Sequence, residues 1–297
     1  MNLNNDPVRT LLEKTEKKGL FKKKEVTFYA VGDENGNPLS GYEYLGIEPY
    51  EDGFAAAKVN ETRSILLDIK GEKFLPQYAN KGFTITRQGD LFVIDGPSGM
   101  GVADKTGYVF IEPKHGNNVI RIYDDIVIHG KQFGKTDKTI WDFNGNTYTN
   151  TIYWDSYELG ASRFEDGKLV PIVFSGDHFY NVVEYIDNRV LAVGRVSVNY
   201  EQVASTGVRP GYVQQYTPRV AVRFIGADAK PLSDKIFGFK GKPKRNRDGT
   251  MDAIYYPNIR PEDLSHHQTA GEAFTGKGLL DFSGAKNVRL DQNFKVL

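Results

Sequence analysis

From Phe21 onward the chain alternates hydrophobic and polar residues with a period of two. VTFYAV, ITRQGDLFVI, GYVFIEP, VIRIYDDIVIHG and RVAVRFIG are short runs rich in β-branched and aromatic residues, bounded by Gly, Asn, Asp or Pro. Such runs are half-buried strands joined by tight turns. Only the N-terminal end departs from this pattern. Val8, Leu11, Leu12 and Thr15 recur at helical spacing. Asp6 and Pro7 suit an N-cap and a first helical position, Gly19 suits a stop, and Lys17 and Lys18 lie where a helix dipole favours cations. The spacing predicts a short N-terminal helix and basic linker over residues 1–24, then a single β-repeat domain over 25–297. Pro261–Phe274 has room for one or two helical turns.

Stacking the runs reveals a repeat. Its first half is two apolar residues, an Asp, two variable residues and a Gly, then a strand. It recurs as VGDENGNPLSG, LLDIKGEKFLP, VADKTGYVFIEP, IWDFNGNTYTN and LLDFSGAKNVRL, with FIGADAKPLS as a worn copy. The Asp accepts hydrogen bonds from backbone N–H groups downstream, and the Gly takes the positive φ that closes a hairpin. The second half is an aromatic residue, an acidic pair or its near equivalent, and a strand: YEDGFAAAKV, YDDIVIHG, FEDGKLVPIV and YIDNRVLAVG. Asp33, Asp68, Asp104 and Asp142 follow one another at about 35 to 38 residues, a period that marks stacked or circular β-units. The repeat is regular from Val31 to about Gly145 and decays afterwards. Irregular insertions are expected at 197–218 and 238–278.

Composition narrows the function classes. The 38 basic residues equal the 38 acidic ones, which argues against a nucleic-acid or membrane-surface footprint over the whole protein. Cysteine is absent, which removes disulfides, thiol catalysis and Cys-ligated zinc. No run approaches the roughly 18 apolar residues of a membrane span, and the first residues lack a signal-peptide core. The expected location is therefore cytoplasmic, or the virion if the chain is phage-encoded.

Together the two half-motifs resemble the WG repeat family, also called KWG repeats. GVADKTGYVFIEPKHG (residues 101–116) is the best match, and YEDGFAAAKV and RFEDGKLVPIV match the strand that follows. The likeness covers Asn35 to Val196, with a return at Leu279–Leu290, and the eponymous Trp-Gly pair is missing. The resemblance implies a bacterial or phage β-repeat protein with a binding or scaffold role, and supplies no functional residues.

Several residue groups are candidates for chemistry. The turn aspartates Asp33, Asp68, Asp104, Asp142 and Asp281 offer one carboxylate per turn, whereas calcium loops need several close oxygen ligands, so they read as turn architecture. The pairs Glu51–Asp52, Asp124–Asp125 and Glu165–Asp166 hold adjacent carboxyls that a strand points to opposite faces, not across one sugar site. His115, His129, His178, His266 and His267 show no metal-binding spacing, and GPSGMG lacks the Lys of a P-loop. No cofactor or metal is expected. KGKPKRNRDGT carries Lys240, Lys242, Lys244, Arg245 and Arg247, with Tyr255 and Tyr256 close behind, a combination able to grip phosphates and stack bases. YEQVASTGVRPGYVQQY breaks the repeat and brings Arg209, Tyr212 and Tyr216 to a long hairpin tip.

The fold expected is all-β, about six or seven small antiparallel units in an open array or propeller-like ring, capped by the N-terminal helix. The function expected is non-enzymatic recognition of a macromolecule, foremost a protein, through the two repeat-breaking loops. The alternatives are a self-assembling phage structural or accessory protein, and a carbohydrate-active enzyme on a propeller. Nucleic acid is a weaker partner, a homo-oligomer is possible, and a membrane is not expected.

Overall fold

A computed structural model describes residues 10–18, 24–114, 119–141, 147–173, 180, 182–187, 190–205, 211–265 and 278–297. The protein is nearly all β, in five antiparallel sheets, none of which closes on itself among the described residues. The chain divides into two compact units, residues 1–120 and 121–297, where the sequence suggested one domain from residue 25 onward. The division follows from the repeat. Each strand pairs mainly with its sequence neighbour, so the sheets are built locally and few contacts tie distant hairpins together.

The first unit opens with β1 (Thr10–Lys18) paired to β2 (Lys24–Gly32) from Thr10↔Gly32 to Lys18↔Lys24. This corrects the N-terminal helix expected from spacing, because its described part is a strand. The helical stripe was narrow, and β2 has a strong β-former sequence whose backbone groups need a partner. Tertiary pairing then overrides helix propensity. Thr10 Oγ1 donates to the Asp33 carbonyl at 2.6 Å, and Thr15 and Thr27 face each other at 3.1 Å between hydroxyls. The α-helix of the described residues is α1 (Pro76–Ala79), a single turn.

A three-stranded sheet follows, β3 (Gly46–Ile47), β4 (Phe54–Asn60) and β5 (Arg63–Asp68). A four-stranded meander comes next: β6 (Thr84–Gln88), β7 (Leu91–Gly96), β8 (Gly99–Asp104) and β9 (Val109–Ile111). Their inner faces share a core of Ala57, Ile65, Leu67, Ile85, Phe92 and Ile94, each nearly or fully buried. Phe54, Phe74 and Phe92 form an aromatic triangle with centroids 4.7–4.9 Å apart.

β10 (Val119–Tyr123) carries the chain into the second unit and pairs with β11 (Ile126–Trp141), then β12 (Thr147–Glu165) and β13 (Lys168–Pro171). The last sheet has six strands in sequence order: β14 (Val182–Asp187), β15 (Val190–Ser205), β16 (Gly211–Ile225), β17 (Phe237–Gly238), β18 (Met251–Tyr255) and β19 (Lys286–Leu290). Ala192, Val222, Phe224, Phe237, Met251 and Phe294 bury one set of its side chains. Ala221, Ile236, Tyr256, Ile259, Leu264 and Leu280 form a second cluster. The expected insertion at 197–218 is, in its described part, the continuation of β15 and β16, paired from Leu191↔Ile225 to Ser205↔Gly211. In the insertion expected at 238–278, Arg195 of β15 binds the Asp263 carbonyl at 2.9 Å and the Gly278 carbonyl. A 3-10 turn, Pro261–Ser265, is held this way.

One turn geometry recurs in both units. In the turns starting at Asp33, Asp68, Asp104, Gly226, Asn246 and Asp291, the first N–H donates to the carbonyl four residues on, at 2.7–3.0 Å. The fourth residue donates back to the first carbonyl at 2.9–3.1 Å and has positive φ: Gly36, Gly71, Gly107, Ala229, Gly249 and Phe294. After four of these turns, at 33, 68, 226 and 291, the chain bonds back to the strand it came from, as in Phe74 N–H to the Leu66 carbonyl at 2.8 Å. Tyr50, the aromatic of a second half-motif, donates its hydroxyl to the Asp68 carbonyl at 2.8 Å and so joins the two halves.

Two outcomes follow. A Cβ at Gly71, where φ is 76°, would lie 3.1 Å from Leu39 Cβ, so Gly71→Ala combines a strained φ with a tight contact. It is expected to destabilise the first unit by about 1–2 kcal/mol in urea unfolding. His129 lies 3.2 Å from the hydroxyl of the buried Ser162, and burial lowers its pKa. The unfolded chain therefore takes up a proton first. Stability is full above the ordinary imidazole value of about 6.5 and falls as pH drops through it towards the lower folded value. His129→Gln flattens that slope between pH 7.5 and 5.

Candidate functional site

The carboxylates that stood out in the sequence are engaged in the backbone. Asp33 Oδ1 accepts from the N–H groups of Asn35 and Asn37 at 2.9 and 2.8 Å. Asp68 Oδ1 does the same with Lys70 and Glu72, and Asp104 Oδ1 with Thr106 and Tyr108. Asp281 accepts from Ser283 N–H at 2.9 Å and from Asn258 Nδ2 at 3.0 Å, and hydrogen bonds from Ser283 lead the causes that lower its pKa. Asp142 lies outside the described residues. The acidic pairs form hairpin corners. Asp52 and Gly53 have φ of 48° and 88°, and Asp166 and Gly167 of 51° and 71°, the double positive φ of a type I′ turn. Arg87 Nη2 pairs with Asp52 at 2.6 Å, and Tyr185 donates to Asp124 Oδ2 at 3.0 Å while stacking on Tyr123 with centroids 4.8 Å apart. Among the described residues, no group of three or more His, Asp or Glu side chains is placed to hold a metal ion.

The basic segment divides into a half-buried anchor and an exposed wall. Arg245, expected to contact a ligand, turns inward. Its guanidinium pairs with both Asp187 oxygens, donates to the carbonyls of Gly249 at 2.9 Å and Gln292 at 3.0 Å, and lies 4.5 Å from the centre of the Phe294 ring. The expected base-stacking tyrosines are packed as well. Tyr256 is buried, with burial raising its pKa, and meets Phe282 at 4.9 Å. The ring of half-buried Tyr255 faces Phe237 at 6.0 Å. Sequence reasoning missed both anchors because their partners lie far along the chain, 58 residues away for Arg245 and Asp187.

Lys240, Lys242 and Lys244 remain exposed and line an open cleft of about 530 Å³. Its floor is β18 and β19, with Ala253, Ile254 and Val288 as apolar lining, and its other walls include Phe239, Asn246, Asn287 and the Asp252–Arg289 pair at 3.0 Å. Among the described residues the three lysines make no ion pair, so this side of the cleft is cationic and uncompensated. Arg247 is exposed but is not part of the lining. The cleft's place near the Asn246–Gly249 turn had a sequence signal, NRDG, that resembles the Asp turn with Asn leading. Of the second expected contact loop, Arg209 lies outside the described residues, whereas Tyr212 and Tyr216 fall on β16 opposite Ala204 and Tyr200.

No family model and no curated protein matches the chain. Among solved structures it is similar to the crystal structure of the tricorn protease, at 15% identity and a TM-score of 0.24, over 89% of this chain and 28% of that one. A likeness that distant carries no functional argument. No helix among the described residues is long and apolar enough to cross a membrane.

Arg245→Ala is expected to lower stability by about 2 kcal/mol or more, because it leaves the Asp187 carboxylate and two carbonyls without their donor. Lys242→Ala is expected to leave the melting temperature unchanged. Thermal unfolding of the two variants distinguishes anchor from wall.

Proposed function

We propose that this chain is a non-enzymatic β-repeat scaffold that recognises another protein, in the cytoplasm or in a virion. The observation that carries the reading is the division of charge. The described carboxylates of the Asp turns close turns and Arg245 locks a loop, while Lys240, Lys242 and Lys244 are held uncompensated over one open cleft. Rigid elements that present a loop in a fixed geometry are what recognition requires, since less entropy is lost when the partner arrives. Kinship with WG repeats belongs to the same proposal and is supported by the recurring Asp turn.

Self-association is the second reading, and the extended hairpins favour it. β11 and β12 continue beyond their sheet neighbours as a two-stranded ribbon from Lys131↔Glu158 to Trp141↔Thr147. Ribbons of two strands are marginal alone in water and gain stability from a further partner.

Affinity capture from the native host tests the first reading. A stoichiometric protein retained by the wild type and lost with the Lys242→Glu/Lys244→Glu variant is expected. The same set retained by both overturns it. Sedimentation equilibrium tests the second, and a clean monomer at high concentration ends it.

A further inference from the structure

We propose that the cleft between the Lys240–Lys244 segment and the β18–β19 floor is a docking site for a short acidic segment of a partner protein, with apolar residues interspersed among the acids. The proposal rests on the scaffold reading and specifies its ligand.

Charge complementarity carries the argument. Three lysines and Arg289 line the cleft against one carboxylate, Asp252, which already faces Arg289. The protein as a whole is electrically balanced, so the excess positive charge is local and attracts a short anionic segment rather than a long polyanion. The exposed Asp252–Arg289 pair contributes little to stability, so a carboxylate arriving at Arg289 displaces a weak contact.

The lining chemistry then separates an acidic peptide from a nucleic acid. Strands of nucleic acid are held by phosphate contacts together with aromatic platforms for the bases. The two tyrosines that could have served are packed, Tyr256 against Phe282 and Tyr255 against Phe237. Arg245, whose planar fork suits phosphate, is committed to Asp187. What remains is a lysine wall beside the half-buried Phe239, Ile254 and Val288, and the Phe239 ring already meets the buried Phe224 edge-on at 6.0 Å. An extended peptide points alternate side chains to opposite sides, so acids meet the wall while apolar residues meet the floor.

The wall is also preorganised. Its chain is fixed at one end by β17, where Gly238 pairs with Ile254, and at the other by the Arg245 contacts. Both ends of the segment are therefore held before a partner arrives, which lowers the ordering cost of binding.

The test uses the full-length chain and fluorescein-labelled probes read by anisotropy. The probes are an eight-residue peptide alternating Glu and Val, its Gln-for-Glu counterpart, and a single-stranded DNA of eight nucleotides. The acidic peptide is expected to bind, at least tenfold more tightly than either other probe, and to weaken as salt rises from 50 to 300 mM. Lys240→Ala/Lys242→Ala/Lys244→Ala is expected to lose at least tenfold, and so is the single Lys242→Glu, which serves if the triple variant misfolds. Arg247→Ala, outside the cleft, is expected to bind as the wild type does. DNA binding in preference to the peptide, equal binding of the Gln peptide, or full binding by the lysine variants each overturns the proposal. If the acidic peptide fails while host capture still depends on Lys242 and Lys244, the docked segment is of another chemistry and the scaffold reading survives. If both fail, both readings fall.

Discussion

A short carboxylate acceptor within a tight turn is the constraint on which the repeat depends, at its first residue in Asp33, Asp68, Asp104 and Asp291 and at its third in Asp228 and Asp248. A hairpin that reverses in so few residues strands its own N–H groups, which must find acceptors before the next strand can be buried. In Asp33, Asp68 and Asp104 one side-chain oxygen takes two of them. With those donors satisfied, the fourth residue can adopt positive φ and the chain returns alongside the strand it left. The apolar residues just before the turn, such as Leu66 and Leu67, are thereby delivered to the core. Ala229 and Phe294 stand where the other turns have glycine, which shows that the hydrogen bonds define the turn more strongly than the residue at its corner.

What could be read from the sequence is what the chain decides locally. Alternation marked the strands, and Asp-x-x-Gly marked the turns at 33, 68 and 104, because each signal and its structural consequence lie within a few residues. The turn at Asp291 escaped notice because Phe294 replaces glycine, and the one at Asn246 because Asn leads it. The N-terminal strand was misread because helix-forming residues such as Leu11, Leu12, Glu13 and Lys14 are recruited by β2, a tertiary effect that local spacing does not contain. Of the site, the lysines were legible as a basic run. Their separation from Arg245, Tyr255 and Tyr256 was not, since burial depends on Asp187, Phe237 and Phe282, which sequence distance conceals.

The same logic distributes charge. A residue type that looks functional in a list takes its role from what surrounds it. Arg245 and Arg195 are structural because carbonyls and a carboxylate converge on them. Lys240, Lys242 and Lys244 are left for solvent or a partner because nothing charged in the described protein reaches them. An electrically neutral chain can thus hold a strongly polarised corner.

The pairing of β18 with β19 spans a stretch of sequence very different from the hairpins before it. Thirty residues, 256 to 285, separate the two strands, whereas β4 and β5 or β6 and β7 are joined by two. Contacts of high sequence separation are entropically late, since the intervening chain must be closed before any bond rewards it. The early hairpins can form as independent local events, but the floor of the cleft has to wait until that long connection is in place, with Arg195 holding its carbonyls. Assembly order therefore acts as a checkpoint: in a nascent or partly folded chain the three lysines have no cleft to line, and only the finished molecule sets them opposite β18 and β19.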